Sequence, residues 1–162
     1  MKRLLFGSPS GIAGSVYGTI VVLGVLAAGS HTEVDPWRLV SAVLGTVLIL
    51  WVAHVYSHAM AETIVTGHRL DRAELMDVAR RELWIPLAAV GPVAALALGG
   101  VGVLREGTAV GLAFGLGLAN LFVQGLRYAS VEHLGWLAKL VAVVVNVSFG
   151  LLIVALEVAL TH

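Results

Sequence analysis

Apolar runs about 20 residues long recur along this chain, at roughly 10–29, 37–60, 84–104, 108–127 and 136–160, with short polar breaks between them. A helix rising 1.5 Å per residue needs about 20 apolar residues to cross the ~30 Å hydrocarbon layer of a bilayer. The pattern predicts an all-α, polytopic integral membrane protein with five transmembrane helices in a single domain covering residues 1–162. Local punctuation agrees with these limits. Ser8-Pro9 and Asp35-Pro36 each set a capping side chain before a proline at the first helical position, and Thr66-Gly67 is a helix stop. Trp37, Trp84, Tyr128 and Trp136 fall near span ends, where amphipathic rings favour the headgroup region, whereas Trp51 belongs deeper. Met1-Lys2-Arg3 and the apolar run after it resemble a secretory signal. Gly11 to Gly29 is longer than a usual signal core and no A-x-A site follows it, so this run is read as a span.

The longest polar segment, about 66–83, predicts a short cytoplasmic amphipathic helix over about 71–83. Asp71-Arg72-Ala73-Glu74 is an Asp-led capping box, and Ala73, Met76, Ala79 and Leu83 recur at helical spacing as an apolar stripe suited to the membrane surface. Pro86 and Pro92 are expected to bend the start of span three. Basic residues near the span ends set the orientation. With the N-terminus inside, the cytoplasmic side holds Lys2, Arg3, Arg69, Arg72, Arg80, Arg81, Arg127 and Lys139, against Arg38 and Arg105 outside. The expected topology is N-terminus cytoplasmic and C-terminus outside.

Composition sharpens the class. Hydrophobic residues make up 59% of the chain and charged residues 12%, against roughly 45–50% and about 25% in soluble domains. Ten basic and ten acidic residues cancel, which removes the basic excess expected of a nucleic-acid-binding protein. The absence of cysteine excludes disulfides, thiolate metal sites and thiol catalysis. No serine elbow, phosphate loop, dinucleotide fingerprint or EF-hand occurs, so catalysis has little support.

Small residues recur at four-residue spacing in Gly14 and Gly18, in Gly91, Ala95 and Gly99, and in Gly107, Gly111 and Gly115, the last continued by Ala119. In lipid such stripes let backbones approach closely. Five helices do not easily bury three separate small faces, so a homo-oligomer or a partner membrane subunit is weighed equally with packing inside one chain. No motif is duplicated between the halves, and five spans do not divide into two equal inverted units.

The candidate chemistry begins with His54, His58 and Glu62, at four-residue intervals where the second apolar run ends. That spacing sets three titratable groups on one helix face, and ionisable side chains at membrane depth mark functional sites by default. Topology brings Gln124, Arg127, Glu132 and His133 to similar depth as cluster partners, with an Arg127–Glu132 ion pair and a Gln124–Asn120 link expected. Asn120, Asn146 and Glu157 mark a polar route deeper in the layer.

Several readings follow. The histidines and Glu62 would suit a divalent metal ion held by nitrogen and oxygen ligands, although Val55-Tyr56-Ser57 stands where an HExxH site requires glutamate. They would equally relay or sense protons without any cofactor. Haem, with His54 or His58 opposite His133, is a lesser option because His133 lies near water. His31, His68 and His162 fall in loops or the tail. The plainest reading makes the trio hydrogen-bonding anchors between helices. The expected role is ion passage or ion sensing at the cytoplasmic-side His/Glu cluster. A non-transporting scaffold or accessory subunit is the alternative, followed by a haem- or metal-binding redox protein.

Overall fold

A computed structural model describes residues 9–29, 35–132 and 135–161. Its described residues form seven helices: α1 (Pro9–Gly29), α2 (Pro36–Thr66), α3 (Arg72–Arg81), α4 (Trp84–Leu87), α5 (Val90–Gly100), α6 (Glu106–Val131) and α7 (Trp136–Thr161). Four helices are long and apolar enough to cross a membrane, and five spans result if the bent pair Arg72–Leu87 and Val90–Gly100 counts as one. Large apolar side chains such as Ile49, Val65, Val144 and Leu152 stand exposed along these helices. A soluble monomer rarely shows so much apolar surface, and the arrangement is compatible with a membrane protein.

The helix boundaries have local causes. Asp35 caps α2 by accepting from the Trp37 amide at 2.9 Å, and Pro36 occupies the first turn, where its missing N–H costs nothing. Gly67 ends α2 in the left-handed region at φ 73°, its amide donating to Thr63 O. At the start of α3 the Asp71 carboxylate accepts from the amides of Ala73 and Glu74, and the Glu74 carboxylate accepts from the Asp71 amide at 2.8 Å. Arg80 and Arg81 fall in the last turn of α3, where positive charge complements the helix dipole.

The expected span over 84–104 is a broken helix. The axis turns by 49° between Leu87 and Val90. Pro92 explains the position of the break: it has no amide to donate to Ala88 O four residues earlier, and its ring crowds that carbonyl. The second apolar helix continues past the expected limit at 60 to Thr66, because Gly67 is the first residue that stops it.

The core lies where α1, α2, α5 and α6 meet, around Val22, Leu26, Val43, Val47, Leu96 and Ala113. Helix α6 turns a small-residue face inward, with Ala109, Ala113, Gly117, Gly125 and Ala129 buried. That permits close crossings. A Cβ at Gly117 would meet Leu23 at 2.7 Å, and one at Gly125 would meet the Val143 backbone at 2.8 Å. At one end of the bundle the Trp37 indole donates to Gly100 O at 3.0 Å and ties α2 to α5.

Candidate functional site

The structure distributes the candidate residues over separate places. His54, His58 and Glu62 share a face of α2, as their spacing requires, but each has different company. His54 is half-buried, with Nδ1 3.1 Å from Leu50 O and its ring centroid 5.0 Å from that of Tyr17 on α1. The rings of His54 and His58 lie 6.2 Å apart. His58 Nδ1 approaches His54 O at 3.2 Å and Glu82 Oε1 at 3.3 Å. Carbonyl and carboxylate oxygens only accept, so Nδ1 carries hydrogen here and Nε2 is the nitrogen that takes up a further proton.

The partner of His58 is thus Glu82, at the end of α3, and it comes from the polar segment read as a short amphipathic helix. Glu82 is well covered, with 15% of its side chain exposed against 56% for His58. Helix α3 holds it there by folding back along α2. Leu83 N donates to Arg80 O and leaves Ala79 O to accept from the Trp51 indole at 3.1 Å. An orphan carbonyl of a helix end is thereby satisfied by the neighbouring helix. Between α2 and α3 lies a cleft of about 400 Å³ lined by His58, Glu62, Arg81 and Glu82, together with buried Val78 and exposed Val65. Among the described residues no group of three or more His, Asp or Glu side chains converges closely enough to hold a metal ion.

A second polar set occupies the seam between α1 and α6. Asn120 Nδ2 donates to Thr19 Oγ1 at 2.5 Å and to Ser15 Oγ at 3.1 Å. Gln124 Nε2 donates to Ser15 Oγ at 2.9 Å and to Asn120 Oδ1 at 3.2 Å, and Arg127 donates to Gln124 Oε1 at 3.1 Å. The expected Asn120–Gln124 link is present. Arg127 does not pair with Glu132, because residues five apart on a helix point about 140° from each other. It lies instead 5.9 Å from the centroid of the Trp84 ring. A cavity of about 250 Å³ opens beside this seam, lined by Ser15, Asn120, Gln124, Trp84 and Pro92 among others.

Ser15 and Thr19 were not among the residues singled out by the sequence. A signal was present: the four-residue step from Ser15 to Thr19 on one apolar helix matches the step from Asn120 to Gln124 on another. Glu82 offered no comparable signal, since its role depends on where α3 docks.

The remaining candidates divide likewise. Glu132 and Asn146 line a third cavity, between α1, α6 and α7, and Asn146 Nδ2 donates to Ala142 O of its own helix at 3.0 Å. His133 and the side chain of Glu157 lie outside the described residues. Gly14 and Gly18 pack against Trp84, Ile85 and Ala88, so this small stripe works inside the chain. Gly107, Gly111 and Gly115 face away from the bundle, with no atom within 4 Å of a Cβ built on any of them. Comparisons with known protein families, with characterised proteins and with solved structures found no match to this chain.

Proposed function

We propose that this chain is an integral membrane protein of five spans, with the broken α4–α5 segment as its third, that senses protons on its cytoplasmic side through the cleft between α2 and α3. The eight-to-two division of basic residues supports an N-terminus inside and a C-terminus outside. The length of α2 supports the placement of the cleft. Its 31 residues extend about 46 Å, well beyond the ~30 Å hydrocarbon layer, and the excess carries His58 and Glu62.

One observation carries the sensing reading: His58 Nδ1 stands 3.3 Å from Glu82 Oε1 across two helices. Proton uptake at His58 adds a positive charge opposite a poorly exposed carboxylate, so acidification favours docking of α3 on α2. Raising the pH removes that attraction. The facing charges are Glu62 on α2, which adds to the pull on an imidazolium, and Arg81 on α3, which opposes it. His54, one turn away, and Tyr17 beside it complete the titratable surroundings.

Sensing is favoured over passage because the internal seam consists of hydroxyls and carboxamides already engaged with one another, with Arg127 at its end. Among the described residues no titratable relay continues inward from His54 along that seam. One further reading is a divalent cation bound by fewer than three of His58, Glu62 and Glu82, which line the cleft without converging on one point.

The chain has no cysteine, so labels attach only where cysteine is introduced. Spin labels at Ile64→Cys and Asp77→Cys in nanodiscs report the α2–α3 distance by pulsed electron resonance. Between about pH 8 and about pH 5, the range in which histidine switches charge, the docked population is expected to grow. His58→Gln and Glu82→Gln should each abolish the change. A distance distribution that ignores pH, or a pH response that survives His58→Gln, rejects the proposal. Manganese added at fixed pH tests the cation reading through broadening of the same spectra.

A further inference from the structure

The cavity of about 530 Å³ between α1, α6 and α7 shares no lining residue with the sensing cleft. Its size falls within the range typical of small-molecule sites, about 300–1,000 Å³. Its walls are mainly apolar, with Ile12, Val16 and Ile20 on one side and Val131 on another. The polar groups among the described residues are few, and the one charged group is acidic. Tyr17 and Tyr128 contribute aromatic rings and hydroxyls, and Glu132 contributes a carboxylate where α6 ends.

Among the described residues no basic side chain lines this cavity. Among the described residues Glu132 forms no ion pair, neither with Lys139 on α7 nor with Arg127, which turns to Gln124 and Trp84. Deeper in the groove Asn146 uses Nδ2 on its own helix and leaves its carboxamide oxygen as an acceptor. Negative charge, π-faces and an acceptor are therefore set among apolar walls, with no positive charge beside them among the described residues.

We infer that this groove binds a lipophilic monocation, whose charge lies between Glu132 and the two tyrosine rings and whose apolar body fills the space against α1. Aromatic faces attract cations most strongly where water is scarce, and a carboxylate at a membrane boundary gains from an organic cation that sheds little hydration. An anion of the same shape meets the opposite field. The site selects by charge sign as well as by size.

Tetraphenylphosphonium and its near-isosteric anion tetraphenylborate separate these two effects. Equilibrium binding to the full chain in nanodiscs, corrected by empty nanodiscs, should show saturable uptake of the cation at about one per chain and no saturable uptake of the anion. Glu132→Gln and Tyr128→Leu should each weaken cation binding by about tenfold or more. Ala13→Phe, which places a ring in the groove from an exposed position, should abolish it. Circular dichroism and thermal melting of each variant distinguish a lost site from a lost fold. Cation uptake no greater than that of empty nanodiscs, equal uptake of both ions, or undiminished binding in folded Glu132→Gln overturns the inference.

Discussion

Gln124 on α6 reaches back 109 residues to donate to Ser15 Oγ at 2.9 Å, and both side chains are buried. The contact joins two helices that Asn120 also links, by donating to Ser15 and Thr19. Removing one partner leaves the other's polar atoms, together with Arg127 and Asn120, short of a hydrogen bond where water is scarce.

Gln124→Leu should therefore lower the stability of the detergent-solubilised or nanodisc-embedded chain by about 1–2 kcal/mol, in line with interhelical hydrogen bonds in membranes. A double-mutant cycle with Ser15→Ala should return a coupling of about 0.6 kcal/mol or somewhat more. Additive effects of the two substitutions would show that the bond carries no weight of its own. Unfolding titrations in sodium dodecyl sulfate provide the measurement.

Two glycines with the same local spacing should respond oppositely to alanine. A Cβ on Gly18 would collide with the Ile85 carbonyl oxygen and come within 3.1 Å of Ala88 Cβ, whereas a Cβ on Gly111 would meet nothing within 4 Å. Gly18→Ala should cost about 1–3 kcal/mol, the usual range for overpacking. Gly111→Ala should be neutral or raise stability by up to about 1 kcal/mol through helix propensity. Thermal melting of the two variants side by side checks the contrast.

Docking of α3 rests partly on the Trp51 indole, which satisfies Ala79 O. Trp51→Phe keeps most of the ring and deletes the donor, at a cost of about 1 kcal/mol. Amide hydrogen exchange within residues 72–81 should accelerate by roughly fivefold, while exchange in α6 stays unchanged. Uniform acceleration across the chain would show instead that Trp51 supports the whole bundle.

The reciprocal cap at the start of α3 makes a separate prediction. Asp71→Ala removes the acceptor for the amides of Ala73 and Glu74, which should cost about 1 kcal/mol of helix stability. Exchange should quicken first at those amides. Asp71→Asn retains an acceptor and should restore most of the protection.

Local information carries far in this chain. Asp35-Pro36, Gly67 and the Asp71/Glu74 box mark helix ends through bonds within four residues, so they are visible without any tertiary knowledge. Pro92 likewise announces a defect, and the 49° turn falls one helical turn before it. The spacing of His54, His58 and Glu62 correctly set them on one face of α2. It said nothing of Glu82, because that partner arrives from another helix whose docking depends on a carbonyl at Ala79 and an indole at Trp51.

Apolar runs, caps and prolines, read in order, determined where this chain is helical and which medium its surface suits, since backbone hydrogen bonding and solvent preference act over a few neighbouring residues. Partner choice was decided only in three dimensions. Gly18 meets Ile85 while Gly111 meets nothing, and Arg127 meets Trp84 and Gln124 rather than Glu132. Those outcomes depend on how helices cross and rotate, which many weak contacts settle jointly and no short stretch of sequence encodes.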